Sequence, residues 1–168
     1  MDGIYSEIIM REMEGFRMAR YTVISPAPEE DAMIHMERWA KDSGLLSIPG
    51  YQPRQIGWNF PYVPKELEEK FRLRGYVAAY IIPRDFVPAC QGAELAEQMA
   101  GRYAVVTVKD PFADPFSRIG GAYERVFGYL KARSLELPSY QEGACFEFEE
   151  VCERDGVTYM DVWVPVKE

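Results

Sequence analysis

The sequence predicts an α+β protein made of two tandem β-α-β-β repeats, with antiparallel sheets that carry their helices on one face. Three observations predict this fold class. A hairpin pattern lies near the C-terminus, a regular helical stripe precedes it, and the order strand, helix, strand, strand occurs twice. Each repeat is too small to bury its own helix face well. We therefore expect the repeats to cover one another as a pseudo-twofold pair.

Length and charge limit the possible functions. The chain has 168 residues, enough for one domain with a substantial core. We expect a single domain over residues 1–168, with repeat one at 6–83, a linker at 84–92 and repeat two at 93–167. The formal net charge of −8 argues against binding to phosphate backbones as the main task. Nucleic acid is therefore not an expected partner, and the sequence does not identify a protein partner.

The histidine and cysteine content argues against metal and cofactor chemistry. His35 is the one histidine, which excludes a two-histidine zinc motif and favours a lone surface residue. Cys90, Cys145 and Cys152 have no Cys-x-x-Cys spacing, as in reduced cytosolic proteins. No apolar run has the length of a membrane span or the basic flank of a signal peptide. We expect a cytoplasmic protein without membrane contact, cofactor or metal.

The first half contains the first strand, helix and strand pair. Residues 6–25 have the pattern of one long strand that is interrupted at Glu14-Gly15, where glycine permits a bend. Pro28 is suited to the first turn of a helix. Two further strands are expected at 51–59 and 72–82. The helix stripe consists of Met33, Met36, Trp39 and Ala40. This stripe is typical of core, and the alternative is one wall of an adaptable pocket.

The second half repeats this order. Residues 93–108 predict a strand with a break near Ala100-Gly101, and its end at 101–108 matches 16–23 at four positions. Asp114-Pro115 is suited to the cap and first position of a helix over 115–131. A 3.6-residue stripe supports that helix. It consists of Phe116, Ile119, Ala122, Tyr123, Val126, Phe127 and Leu130.

The C-terminal hairpin is expected over residues 145–165, with its turn at Arg154-Asp155-Gly156. Asp-Gly between two runs of β-branched and aromatic residues is a strong hairpin signal. Strand alternation separates Phe146 and Phe148 from Glu147 and Glu149. It also separates Met160, Val162 and Val164 from Tyr159, Asp161 and Trp163.

We expect one face of this hairpin to be core. The other face is expected to hold carboxylates among large aromatic rings. Such a surface suits flat, cationic organic molecules. The alternative is a solvated sheet face with ordinary carboxylates, since exposed acids are common.

Several motifs in order resemble the GyrI-like small-molecule-binding domain, which is also the effector-binding domain of multidrug-sensing bacterial transcription regulators. In the second half they are AGRYAVVTVKDPF at 100–112, VFGYLK at 126–131, ACFEFEE at 144–150 and MDVWVPVK at 160–167. In the first half they are EGFRMARY at 14–21, ERWAKDSGLL at 37–46 and GWNFPYVP at 57–64. The resemblance covers almost the whole chain.

The resemblance implies a ligand groove between the two halves, where flat aromatic and often cationic drugs bind. It implies that Glu147 is a buried groove glutamate, and Asp161 stands where the family more often has Glu. In the first half, Val77-Ala78-Ala79 replaces a stretch that often includes an acid. Because few residues precede the first strand, the resemblance favours a stand-alone binder over a DNA-binding regulator.

The resemblance leaves three functions open. The first is binding of aromatic or cationic small molecules, as in recognition or sequestration of drugs and other xenobiotics. The second is hydrolysis of strained cyclopropane-type alkylating agents, with Glu147 as general acid or base. The third is interaction with gyrase. The sequence leaves open whether Tyr76 and Tyr80, or Val77 and Ala79, face the groove. The candidate ligand-binding residues are Glu147, Asp161, Trp163, Tyr159, Trp58, Trp39, Tyr80, Tyr21 and Met36.

Overall fold

The computed structural model describes residues 3–139 and 146–167, in which eight strands and three helices form an α+β chain. Apart from one short extra helix and two extra strands, the order β-α-β-β occurs twice, which confirms the predicted fold class. The elements are β1 (Ile9–Met13), β2 (Phe16–Ser25), α1 (Pro28–Asp42), β3 (Gln55–Asn59), α2 (Lys65–Phe71), β4 (Arg74–Ile82), β5 (Glu94–Gln98), β6 (Gly101–Lys109), α3 (Pro115–Ala132), β7 (Phe148–Arg154) and β8 (Val157–Val166). The repeated elements are β2-α1-β3-β4 and β6-α3-β7-β8.

Two compact units make up the chain. The α1 unit is Phe16–Glu97, and the α3 unit is Met1–Gly15 together with Gln98–Glu168. The expected interruption at Glu14-Gly15 separates β1 from β2, and β1 pairs antiparallel with β6 in the α3 unit. A Cβ at Gly15 would lie 3.1 Å from the backbone oxygen of Gln98 and 3.2 Å from the nitrogen of Ala100. This close backbone approach explains the glycine.

In the α1 unit the strands lie in the order β3-β4-β2-β5. β4 pairs antiparallel with both β2 and β3, so that Tyr80 lies opposite Ala19 on one side and Gln55 on the other. Helix α1 covers one face of these strands. Its residues Met36 and Trp39 share a buried cluster with Ala78 and Tyr80 of β4. The open question of register is therefore settled in this unit: Tyr80 faces α1, and Val77 and Ala79 face away.

The segment expected to be a linker, 84–92, contributes to the core of the α1 unit. Phe86 is buried and meets the Trp39 ring edge-on, with centroids 6.4 Å apart. Arg17 donates hydrogen bonds from Nη1 to the carbonyls of Arg84 and Phe86, the first at 3.1 Å. These contacts anchor the chain after β4. The proposed division into repeats and linker stays a prediction.

In the α3 unit the strands lie in the order β1-β6-β8-β7, and all neighbours are antiparallel. Helix α3 begins as expected, since the Asp114 side chain accepts a hydrogen bond from the Ser117 N–H at 3.3 Å and Pro115 opens the first turn. Ala122, Val126 and Leu130 of its stripe are core, but Phe116 is 91% exposed and Phe127 is 45% exposed. The predicted helix is therefore confirmed, while two phenylalanines of its stripe do not belong to the core. No helix among the described residues is long and apolar enough to cross a membrane.

Candidate ligand-binding site

The hairpin of β7 and β8 turns at Asp155-Gly156, as the sequence predicts. Both residues have positive φ, 52° and 74°, as a two-residue hairpin loop requires. Arg154 therefore pairs with Val157, and the register continues to Glu150 opposite Asp161 and Phe148 opposite Trp163. Directly opposed residues in an antiparallel pair point to the same face. The turn thus decides which side chains of the two strands meet.

The two faces of β8 differ as expected, but those of β7 are assigned differently from the prediction. Val162 and Val164 pack in the α3 core, so Trp163 lies on the face away from α3. Phe148 accompanies Trp163 there. Glu149 lies on the helix side, where its Oε1 accepts a hydrogen bond from the Tyr123 hydroxyl at 3.1 Å. The expected grouping of Glu149 with Trp163 was wrong because a two-residue turn pairs even-numbered residues of β7 with odd-numbered residues of β8.

Three rings form an aromatic cluster on this face: Tyr103, Phe148 and Trp163. Phe148 and Trp163 are stacked with centroids 5.5 Å apart and planes 15° apart. Tyr103 meets Phe148 at 5.6 Å and Trp163 at 5.7 Å, in both cases edge-on. All three are buried, with at most 2% of any residue exposed. Stacked and edge-to-face geometries are the favoured ones for such rings.

Arg11 covers the Trp163 ring. It lies on β1 opposite Tyr103, and its guanidinium carbon is 4.7 Å from the centroid of Trp163. Arg11 is itself an exposed residue, so only part of its side chain is held. A guanidinium at this distance makes a cation–π interaction. The chain thus places one of its own cations on the aromatic cluster.

Asp161 is the buried acid next to this cluster. It lies two residues before Trp163 on the same face of β8, and 8% of the residue is exposed. Its Oδ1 accepts a hydrogen bond of 2.6 Å from the Thr107 hydroxyl. Its Oδ2 lies 4.0 Å from Arg154, whose side chain is 60% exposed. That ion pair is long and solvated, so it compensates the Asp161 charge weakly.

Glu150 is the functional candidate that our sequence reasoning missed. It is half-buried and lies directly opposite Asp161 in the hairpin. Two carboxylates in a cross-strand pair repel each other, and a cation next to them relieves that repulsion. The signal was present in the sequence, because counting outward from a two-residue Asp155-Gly156 loop pairs residue 150 with 161.

Glu147 does not have the buried position that the resemblance implied. It is exposed and precedes β7. The paired part of β7 begins at Phe148, so Glu147 lies outside the ladder that buries Phe148 and Asp161. Its role in ligand binding stays a prediction.

Tyr159 lies on the same face as Asp161, half-buried, with the Arg154 guanidinium 5.5 Å from its ring centroid. Cys145 lies outside the described residues.

Most candidates from the first half face α1. Met36, Trp39 and Tyr80 are core residues of the α1 unit. Burial, followed by the charge of Glu37, raises the pKa of Tyr80 to about 12, so the phenol stays neutral. Tyr21 stacks on His35 with ring centroids 3.7 Å apart.

His35, expected as a lone surface residue, is half-buried. Its Nε2 lies 2.6 Å from the Gly92 carbonyl. The stack with Tyr21 and this hydrogen bond account for its burial.

Trp58 is the exception among these candidates. It pairs with Val77, which faces away from α1, and it is half-buried. Val77 and its neighbour on the same face, Ala79, carry no charge. The site residues predicted from sequence are therefore distributed over different faces of the two units.

Two other features do not involve these candidates. A surface hollow of about 280 Å³ is lined by Asp110, Phe112, Ala113, Arg118 and Thr158. Cys90 and Cys152 are free thiols. Among the described residues, no three His, Cys, Asp or Glu side chains are grouped closely enough to hold a metal ion.

Several known structures have a fold similar to that of this chain. No protein-family model matches the sequence, and no curated protein matches it. The EcmrR C-terminal domain has a TM-score of 0.64 at 12% identity, over 96% of this chain and 98% of that chain. In the comparison with EcmrR from the EcmrR–DNA complex, this chain spans 58% of the length of the EcmrR chain.

Two further structures are similar. SAV2435 bound to tetraphenylphosphonium has a TM-score of 0.52 at 12% identity, over 96% of this chain and 94% of that chain. A hydrolase from Listeria innocua has a TM-score of 0.61 at 9% identity, over 96% of this chain and 92% of that chain. At such identities the likeness is one of fold. This chain has the fold of the GyrI-like small-molecule-binding domain that its motifs resemble.

Proposed function

We propose that this protein binds small aromatic molecules that are flat and often cationic, in the recognition or sequestration of drugs and other xenobiotics. One observation carries the proposal: Asp161 is buried on the same sheet face as the aromatic cluster and lies opposite Glu150. Acid and rings together are the chemistry that a delocalised organic cation requires.

The weakly compensated charge of Asp161 favours the binding of a cation. A carboxylate that is largely removed from water gains from a cation placed beside it. Asp161 accepts a hydrogen bond from the Thr107 hydroxyl and has a distant, exposed arginine beside it, so a ligand cation can replace Arg154 at little cost. Aromatic faces contribute about 0.5 to 2 kcal/mol for each cation–π contact. From the charge and cation–π contributions together, we expect ligands to bind with micromolar affinity.

The comparisons support the proposal at the level of the fold. SAV2435, of the same fold, has been solved with tetraphenylphosphonium, a lipophilic aromatic cation. The net charge of −8 favours cations over anions. We also propose, from charge and cysteine usage, that the protein acts in the cytoplasm and does not use nucleic acid as a ligand.

The test is a titration with a planar cation and its uncharged counterpart, for example N-methylacridinium and 9-methylanthracene, followed by tryptophan emission and calorimetry. We expect the cation to bind at micromolar affinity and the hydrocarbon to bind much more weakly. Equal affinity for both would show that the acids do not select charge. Tetraphenylphosphonium serves as a second, non-planar cation.

Hydrolysis by Glu147 is not favoured by the geometry. A general acid or base of that kind requires a desolvated carboxylate. Glu147 is exposed, and the similarity to a Listeria innocua hydrolase is one of fold. No contact among the described residues argues for gyrase.

A further inference from the structure

Two buried polar atoms next to the aromatic cluster have no hydrogen-bond partner among the described residues. They are Nε1 of Trp163 and Oε1 of Gln98. Trp163 is 2% exposed and Gln98 is 4% exposed. Buried polar groups are almost always paired, so each of these atoms requires an explanation.

Both residues adjoin the same tyrosine. Gln98 donates from Nε2 to the Tyr103 hydroxyl at 3.1 Å, which leaves its carbonyl oxygen unused. The Trp163 ring meets Tyr103 at 5.7 Å, with its indole N–H unused. The aromatic cluster thus carries one unused donor and one unused acceptor, associated with a single phenol ring.

The charges near the aromatic cluster differ between its Trp163 end and its Asp161 end. Arg11 places a guanidinium over Trp163, which favours a hydrogen-bond acceptor at that end and disfavours a second cation. Asp161 and Glu150 place negative charge two residues away along the strands, about 7 Å distant. A ligand that lies along the strands therefore meets donors at the Trp163 end and acids at the Asp161 end.

We propose that the ligand is a heteroaromatic molecule with polar edges and not a purely hydrocarbon cation. A ring carbonyl or equivalent acceptor receives the indole N–H of Trp163, and a ring N–H donates to the Gln98 carbonyl oxygen. This inference rests on the proposed function and narrows its ligand class. Trp163 and Gln98 are then the residues that select for hydrogen-bonding groups.

The test uses three ligands of nearly the same shape. Acridone has both an N–H and a carbonyl, N-methylacridone lacks the N–H, and acridan lacks the carbonyl. Each lost hydrogen bond leaves a buried protein group unpaired. We therefore expect wild-type protein to bind acridone about tenfold more tightly than either relative, measured by calorimetry.

Two variants assign the contacts. Trp163→Phe keeps an aromatic ring without the indole N–H, so it should abolish the preference for acridone over acridan. Gln98→Met keeps a similar volume without the carbonyl, so it should abolish the preference over N-methylacridone. Each variant should leave the other preference intact. Circular dichroism checks the fold, and the wild-type ligand series decides the question even if Trp163→Phe fails to fold.

The outcomes separate this inference from the proposed function. If the three ligands bind wild-type protein equally while N-methylacridinium binds well, ligand hydrogen bonds do not select and this inference is overturned alone. If acridone, N-methylacridinium and tetraphenylphosphonium all fail to bind, the proposed function is overturned with it. If acridone is preferred but the two variants do not change the preferences, Trp163 and Gln98 are not the selecting residues.

Discussion

The α1 unit and the α3 unit share the β-α-β-β order but differ in where their buried tryptophans lie. In the α1 unit, Trp39 and Tyr80 are packed between helix and sheet. In the α3 unit that layer is largely aliphatic on β8, with Val162 and Val164, and Trp163 lies on the face away from the helix. A tryptophan or tyrosine is therefore not by itself a sign of a binding site. The face that the ring occupies decides between core and candidate site.

The two units also differ in charge on the faces away from their helices. In the α3 unit, Glu150 and Asp161 lie opposite each other on that face. In the α1 unit, the comparable strand carries Val77, opposite Trp58. Sequence resemblance suggested a less acidic first half, and the strand registers locate the difference. We expect the acids of the α3 unit to discriminate between ligands of different charge.

The largest expected effect is on the stability of the α1 unit. Trp39→Ala removes a buried ring that packs against Phe86, and we expect a loss of about 3 to 5 kcal/mol in the free energy of unfolding. Urea denaturation measures it. If Trp39→Ala weakened ligand binding without destabilising the fold, Trp39 would belong to a site rather than to the core.

The next effect concerns pH and Tyr80. Burial raises its pKa to about 12 in the folded protein, above the ordinary value of 10.0. The contribution of this pKa difference to the free energy of unfolding is therefore fully present below pH 10. It is lost as the pH rises toward 12, which lowers the free energy of unfolding by on the order of 2 kcal/mol. Phenolate absorbance and unfolding across this range measure it. Tyr80→Phe should remove this part of the pH dependence, and an unchanged profile would contradict the assignment.

Asp161→Asn tests the acidic face of the α3 unit. The amide keeps an acceptor for Thr107 and removes the charge, so we expect about tenfold weaker binding of N-methylacridinium. Calorimetry measures the affinity. Glu153→Gln is the control, because it removes one charge from β7 at an exposed position. Equal losses in both variants would indicate a general charge effect.

Arg11→Met tests the protein's own cation over Trp163. Removal of the guanidinium exposes the ring face and relieves repulsion, so we expect cation affinity to rise by about 0.5 to 1 kcal/mol. Fluorescence titration measures the change. Arg102→Gln is a matched control on the neighbouring strand, where Arg102 pairs with Glu12 at 3.7 Å. A decrease in affinity for Arg11→Met would mean that Arg11 holds the ligand.

Glu147→Gln has the smallest expected effect. Because Glu147 is exposed, loss of its charge should change cation affinity by no more than about 0.5 kcal/mol. The same titration measures it, with Asp161→Asn as the comparison. A loss larger than that of Asp161→Asn would restore Glu147 as the principal acid.

Local signals in the sequence determined much of this molecule. Asp155-Gly156 predicted the hairpin because few other residue pairs adopt two positive φ angles without strain. Asp114-Pro115 predicted the start of α3, and Gly15 predicted the break before β2. Alternation along β8 separated Val162 from Trp163 correctly. Each of these signals depends on backbone geometry within a few residues, which the side chains themselves dictate.

Contacts between distant segments were decided only by the tertiary structure. The sequence does not show that β1 pairs with β6, and only that pairing places Arg11 over Trp163. Nor does alternation show which face of β4 meets α1, or that the ladder of β7 begins after Glu147. A strand pattern has the same period whichever face is buried. The burial of a carboxylate therefore depends on which strand lies beside it, and the free energy of packing many residues at once decides that pairing.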